Sequence, residues 1–190
     1  MATVVSCIAT KWTPQQVTEV ADCLTVEVPL QICINGEPYT ITMRTPGAEE
    51  AHVRGILLTE QVYINRIINP DFQVLERDAQ GYVTRVNVSI ASKDLEQGIQ
   101  VKRNLLSVSS CGICGKRDEE IQLSGCLQDD AQLEAALIPG LFQTMRSRQV
   151  DFFQSGGCHA AAIFDLNGNC LDCQEDIGRH NAVDKTIGQL

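Results

Sequence analysis

A chain of 190 residues, 44% hydrophobic and 21% charged, carries enough apolar material for one sizeable core, or for a core with a small appended domain. Its formal net charge of -9 excludes a broad contact with nucleic-acid backbones, which needs clustered Lys and Arg, but leaves room for one anionic ligand on a local basic patch. No stretch is long and apolar enough to span a bilayer, and Lys11, Trp12 and Pro14 follow the first short apolar run without the pattern of a secretory leader.

The nine cysteines are therefore expected in a reducing cytoplasm as free, metal-bound or transiently oxidised thiols. From the N-terminal side, Leu24 to Ile34 alternates in the manner of a strand, Asn35-Gly36 supplies a tight hairpin turn, and Tyr39 to Met43 reads as the returning strand. Pro46-Gly47 breaks that strand. Glu49 to Leu58 is then expected as a helix with Val53, Ile56 and Leu57 on its apolar side. Ile64 to Ile68 and Tyr82 to Ile90 are rich in strand formers, and Asp78-Ala79-Gln80-Gly81 predicts a turn pairing Phe72 to Leu75 with the strand beyond it. The polar stretch Ser92 to Arg103 marks the expected boundary between a β-rich N-terminal region, 1–103, and a second region, 104–190.

In the second region Asp129 to Leu137 has helical spacing and Pro139-Gly140 is expected to punctuate its end, with another helix over Leu141 to Arg148. Cys158 to Phe164 reads either as a buried strand or as a helix entering beneath Gly156 and Gly157. Asn167-Gly168 is a strong turn. His180 to Ile187 is expected as a helix with Ala182, Val183 and Ile187 toward a core; Asp184 and Lys185 read either as part of a functional block or simply as its solvent face.

Three groups of residues carry chemistry. Ser110-Cys111-Gly112-Ile113-Cys114-Gly115 sets two thiols three residues apart among residues too small to cover them. Such a pair serves persulfide transfer, disulfide exchange, or metal binding, the last as a tetrahedral zinc site if Cys170 and Cys173, a second C-x-x-C pair, join it. Ser155-Gly156-Gly157-Cys158-His159 combines exposed backbone donors with a soft nucleophile and a proton carrier; the same run also reads as a tight turn over a buried cysteine. Glu175 to Lys185 contains Arg179, which can fork onto phosphate, and His180 and Asn181, which can orient a base or pterin. A solvated loop before an amphipathic helix is the alternative reading of that stretch. Neither a G-x-x-x-x-G-K-[ST] loop nor a G-x-G-x-x-G fingerprint is present.

In order along the chain, Val26-Glu27-Val28-Pro29-Leu30, Met43-Arg44-Thr45-Pro46-Gly47, Leu57-Leu58-Thr59-Glu60, Ser109 to Lys116, Gly156 to Ala161 and Glu175 to Lys185 make the chain resemble the FdhD family of sulfur carriers for formate dehydrogenase maturation. The resemblance implies transfer of sulfane sulfur from a cysteine desulfurase to the bis-molybdopterin guanine dinucleotide cofactor of formate dehydrogenase, in the cytoplasm. Cys111 would carry the persulfide and Cys114 would relay it or stabilise the loaded loop. Gly156, Gly157, His159, Arg179, His180 and Asn181 would contact the cofactor, with no permanently bound cofactor and no metal. Partners implied are the desulfurase, formate dehydrogenase and a second copy in a homodimer, but no nucleic acid or membrane.

The fold implied is α/β, α+β overall: a cytidine deaminase-like three-layer domain over 104–190 with a smaller β-rich N-terminal element over 1–103. His159-Ala160-Ala161 lacks the glutamate of a zinc deaminase H-x-E block, so deamination is not expected. Family members continue past the block ending at Lys185, so the C-terminal part is expected to be missing here. The alternative is a truncated, zinc-stabilised scaffold using Cys111, Cys114, Cys170 and Cys173, without transfer activity.

Overall fold

The computed structural model describes residues 1–63, 69–95 and 132–190. Among them the chain is a mixed α+β protein with three sheets and four helices. Strands β1 (Val4–Trp12) and β2 (Val17–Thr25) form an antiparallel ribbon with Trp12 opposite Val17 and Val4 opposite Thr25. Sequence reading assigned no strand here before Leu24. The ribbon is largely wet on both faces, so it lacks the apolar-in, polar-out alternation by which a half-buried strand is recognised.

The expected hairpin follows as β3 (Val28–Ile34) and β4 (Glu37–Arg44), but its first strand starts at Val28 and not at the expected Leu24, because Leu24 and Thr25 end β2 in a different sheet. Asn35 and Gly36 take φ of 52° and 84°, the left-handed pair that a two-residue turn needs. Strand β5 (Asp71–Arg77) pairs with β6 (Val83–Ser89) across a turn in which Asp78 Oδ1 accepts from Gln80 N and Tyr82 N. Parallel pairing of β6 with β3 completes a sheet of order β4-β3-β6-β5. Ile64 to Ile68, read as a strand, lies outside the described residues, as does the expected domain boundary at 103/104.

Helix α1 (Glu49–Thr59) lies on this sheet and buries Val53, Ile56 and Leu57 as the spacing predicts. They meet Leu30, Ile32, Val86 and Val88 in the main apolar core. Further along, a short 3-10 turn at Ala135–Leu137 leads into α2 (Ile138–Ser147), and α3 (Val150–Ser155) follows. Pro139 and Gly140 thus open a helix instead of closing one. Proline is suited to the first turn because its missing N–H would have no intrahelical partner there. Of the helix expected over 129–137, residues 132–134 are not helical and 129–131 lie outside the described residues.

Cys158 to Phe164 resolves as a strand, β7 (His159–Phe164), antiparallel to β8 (Cys170–Asp176) around the Asn167-Gly168 turn. Helix α4 (Arg179–Gln189) starts one residue before its expected beginning. Neighbouring strand residues point to opposite faces. Glu175 reaches the start of α3 and Asp176 reaches Lys185 of α4, so these two helices lie on opposite faces of the β7–β8 sheet. Helix α4 also crosses α1 closely: a Cβ on Gly55 would overlap the Asp184 carbonyl, and one on Gly188 would overlap that of Ala51. Among the described residues no helix is long and apolar enough to cross a membrane.

Candidate functional site at one end of the β7–β8 sheet

Antiparallel pairing sets His159, the first residue of β7, opposite Asp176, the last of β8. The glycine pair before β7 and the first turn of α4 after β8 therefore come to the same end of this sheet. Gly156 ends α3 in the left-handed conformation, φ 66°, with its N–H on Phe152 O at 2.7 Å. Gly157 donates to Ser155 Oγ at 3.1 Å and approaches Thr25 of β2. Gly156, Gly157, His159, Arg179 and His180 are all exposed there. The first turn of α4 follows Gly178 with no side-chain cap, although the Asp176 carboxylate accepts from Gly178 N at 2.8 Å.

Asn181 is placed differently from the other five. It is 4% exposed, its Nδ2 donates to Met43 O (2.7 Å) and Asp176 Oδ1 (3.0 Å), and its Oδ1 accepts from Thr42 Oγ1. The amide holds α4 to β4 and faces inward.

The same is true of Lys185, which one reading of the sequence placed on the solvent face. It is 2% exposed and one turn from Asn181, and its Nζ bonds Asp176 Oδ2 at 2.8 Å, Thr45 O at 2.8 Å and Glu175 O at 3.3 Å. The fully buried Asp176 carboxylate also accepts from Thr45 N, Gly178 N and Asn181 Nδ2. Thr45 Oγ1 completes the lock by accepting from Ile177 N. Thus the Met43-to-Gly47 block and the Glu175-to-Lys185 block are two halves of one buried polar joint, which fixes the direction in which Arg179 and His180 leave it. A buried charge pair is tolerable only when its remaining hydrogen bonds are met, and here they are.

Asp184 is likewise no solvent residue. Its Oδ1 accepts from Thr59 Oγ1 at 2.9 Å, and burial, with Glu60 and Asp176 adding to it, pushes its carboxyl up to about 6. Val183, expected toward a core, is instead 43% exposed. On the other side of the joint the fully buried Arg44 pairs with Glu49 at 3.0 Å and donates to Val83 O. His52 is also fully buried, and burial, then the neighbouring cations Lys185 and Arg44, depress it to about 3, leaving it neutral.

Two of the described thiols are raised by burial. Cys158 is 7% exposed beside Thr25 Oγ1 (3.2 Å), which in turn meets Ser155 Oγ at 2.7 Å, and burial raises the thiol above its ordinary value. This is the tight turn over a buried cysteine, and it holds no ready thiolate. Burial, followed by Cys170, pushes Cys173 up to about 11. No group of three or more His, Cys, Asp or Glu side chains fit to hold a metal occurs among the described residues. Cys111 and Cys114 lie outside the described residues, and so does any test of a four-cysteine site.

Sequence reasoning missed Thr45, Asp176 and Lys185 as the joint. The signal was present in the i, i+4 spacing of Asn181 and Lys185 beside Ala182, which puts an amide, an ammonium and a small residue on one helix face.

Residues 25–190 match the profile of the FdhD/NarQ family. A protein named sulfur carrier protein FdhD from Picrophilus torridus is 40% identical over 180 residues, covering 90% of this chain and 64% of that protein. Its namesake from Mycobacterium tuberculosis is 37% identical over 177 residues, covering 88% and 64%. The chain thus spans just under two thirds of the length of these relatives. The crystal structure of a candidate formate dehydrogenase accessory protein from Desulfotalea psychrophila has a similar fold, with a TM-score of 0.68 at 21% identity over 99% of this chain and 69% of that one. With the profile running unbroken through both halves of the polar joint and the exposed sheet end that it carries, the chain belongs to the FdhD/NarQ family.

Proposed function

We propose that this chain is a sulfur carrier acting in formate dehydrogenase maturation, loading sulfane sulfur on Cys111 and delivering it to a bis-molybdopterin guanine dinucleotide cofactor. The observation that carries the reading is the clustering of Gly156, Gly157, His159, Arg179 and His180 at one exposed sheet end, in a chain whose relatives bear the sulfur-carrier name. The client cofactor is a substrate and offers phosphate oxygens. Free N–H groups at the start of α4, the Arg179 fork and the exposed glycine backbone are the donors that such oxygens seek. Asn181 serves that end from inside, by holding the turn to β4.

In the loading step the Cys111 thiolate attacks the outer sulfur of a persulfide on a cysteine desulfurase. The donor's S–S bond breaks, its cysteine leaves as a thiolate, and Cys111 holds the persulfide. Cys114 then takes the outer sulfur by the same exchange, which returns Cys111 to its thiolate. The placement of α3 and α4 on opposite faces of the β7–β8 sheet supports assigning this part of 104–190 to a three-layer, deaminase-like domain appended to the β-rich 1–103 region. A cytoplasmic setting and formate dehydrogenase as recipient belong to the same proposal.

Incubation with a desulfurase and labelled cysteine should load one sulfane sulfur on the chain and none on Cys111→Ser. Equal loading of that variant would remove Cys111 from the role. Arg179→Ala should load normally yet lose binding of a guanine dinucleotide; unchanged binding would remove the sheet end from it.

A further inference from the structure

Strand β8 does not run regularly. Its register with β7 slips at one point: Phe164 opposes Cys170 and Ile163 opposes Asp172, so Leu171 is an extra residue, bulged out and 55% exposed. In a regular strand two residues three apart lie on opposite faces, about 10 Å from each other. The bulge removes both separations. Cys170 opposes Phe164 and Cys173 opposes Ala162, two residues apart on β7, so the two thiols stand on one face with their Cα atoms about 7 Å apart. Glu175 lies on that face too, which is the side of α3. Cys170 also leans along the strand toward its neighbour: its Sγ lies 3.4 Å from Asp172 O, the carbonyl of the peptide that enters Cys173. After burial, Cys170 is the largest cause of the raised Cys173 thiol, as expected of close neighbours. Both thiols are free and half-buried.

We propose that Cys170 and Cys173, brought to one face by the Leu171 bulge, form a two-thiolate site for a single copper(I) ion. Spacing separates this from a disulfide. A direct S–S bond of about 2.05 Å requires Cα atoms no more than about 6.8 Å apart, and most often 5.5–6 Å, so this pair stands at the far edge of direct bonding. One interposed ion, with two metal–sulfur bonds of about 2.3 Å, holds its sulfurs up to about 4.6 Å apart and suits the wider gap. Ligand number selects the metal. Zinc takes four ligands, and no group of three or more His, Cys, Asp or Glu side chains fit for a metal occurs among the described residues, whereas copper(I) is soft and is satisfied by two thiolates in line. Binding displaces both thiol protons to solvent and leaves a bis-thiolate complex with one net negative charge; copper stays in its +1 state and no electron is transferred. Arg148, at the end of α2, already acts on Cys173 in the sense that favours its thiolate, and it offsets that charge. The Glu175 carboxylate opposes it from the same face, but is held by Asp151 N and Phe152 N at the start of α3.

The full chain carrying Cys111→Ser and Cys114→Ser, which removes the other closely spaced pair, is to be titrated anaerobically with copper(I) in competition with a chromophoric copper(I) chelator. Native mass spectrometry then counts the ions retained. The expected result is one copper per chain, with a mass gain of one copper less two protons. In that background Cys170→Ser and Cys173→Ser should each weaken retention at least about hundredfold, more than the loss of an outer partner does, while circular dichroism shows the chain still folded. Cys23→Ser, on β2, should leave retention unchanged. Because Cys111 and Cys114 are absent, the outcome is independent of sulfur loading. Failure to hold copper against the chelator overturns the proposal. So does retention that survives Cys170→Ser, an equal effect of Cys23→Ser, or a loss of two hydrogens without copper, the mark of a disulfide in place of an ion.

Discussion

Replacing Lys185 with methionine keeps most of the aliphatic stem and removes an ammonium that serves three acceptors: Asp176 Oδ2, Thr45 O and Glu175 O. Both members of the charge pair are at most 2% exposed, so water does not take over the vacated bonds. Breaking a buried pair by removing one partner costs about 3–5 kcal/mol. Asp176 retains three N–H donors, from Thr45, Gly178 and Asn181, which places the expected loss at the lower end, about 3 kcal/mol. For a chain of this length that lowers the unfolding midpoint by roughly 6–12 °C. Thermal and urea unfolding followed by circular dichroism measures it. A second arm separates pairing from packing: Asp176→Asn in the Lys185→Met background should cost clearly less than the two single losses added together. Strict additivity, or a loss below about 1 kcal/mol for Lys185→Met, would refute the joint as the element holding α4 to β4.

Gly55→Ala should cost at least about 2 kcal/mol, because its methyl would overlap the Asp184 carbonyl where α1 and α4 cross, whereas Gly140→Ala, in open space, should be neutral or gain about 0.5–1 kcal/mol; comparable midpoints for the two would refute the close crossing. Asp184, raised to about 6 from 3.8, binds a proton in the folded state between those values, so its contribution to stability falls as pH rises from about 4 to 6, by up to about 3 kcal/mol. His52, lowered from 6.5 to about 3, acts in the opposite sense: its contribution is complete above pH 6.5 and is lost as pH falls toward 3. The two slopes oppose each other between about pH 4 and 6, so Asp184→Asn, which keeps an acceptor for Thr59, should raise stability at pH 7 and steepen its loss on acidification. Urea midpoints at several pH values decide this, and curves parallel to wild type would contradict the raised carboxyl. His52→Leu should produce the reverse, a stability that declines as pH rises through that window, and an unaltered acid limb would contradict the depressed histidine.

What was legible in the sequence followed from local chemistry. Asn35-Gly36 and Asp78 to Gly81 announced their turns because the side chains and glycines concerned suit those backbones without help from elsewhere. Val53, Ile56 and Leu57 announced the buried face of α1 by helical spacing. The β1–β2 ribbon was missed because burial writes the alternation that marks a strand, and this ribbon has little burial. Pro139-Gly140 misled because the pair is compatible with either end of a helix, and only the chain beyond it decides which. At the candidate site, the exposed donors Arg179 and His180 were readable from residue type. Lys185 was not: an ammonium is assigned to solvent by default, and its burial depends on carbonyls at Thr45 and Glu175 whose approach is a tertiary fact.

The joint also changes how the Glu175-to-Lys185 block is understood. A run dense in charged and amide side chains invites assignment of all of them to a ligand, yet Asp176, Asn181 and Lys185 spend their hydrogen bonds inward, on each other and on the Met43-to-Gly47 block. Of its polar side chains, only those of Arg179 and His180 are exposed. If the exposed turn contacts the ligand as proposed, such a base holds it in one direction before anything binds, so binding need not order it first. Loss of the base and loss of the exposed pair should therefore differ in kind. Lys185→Met lowers stability and ligand affinity together, whereas Arg179→Ala lowers affinity with the unfolding midpoint unchanged. If both variants moved stability and affinity in the same proportion, the division of this block into an inward frame and an outward contact would not stand.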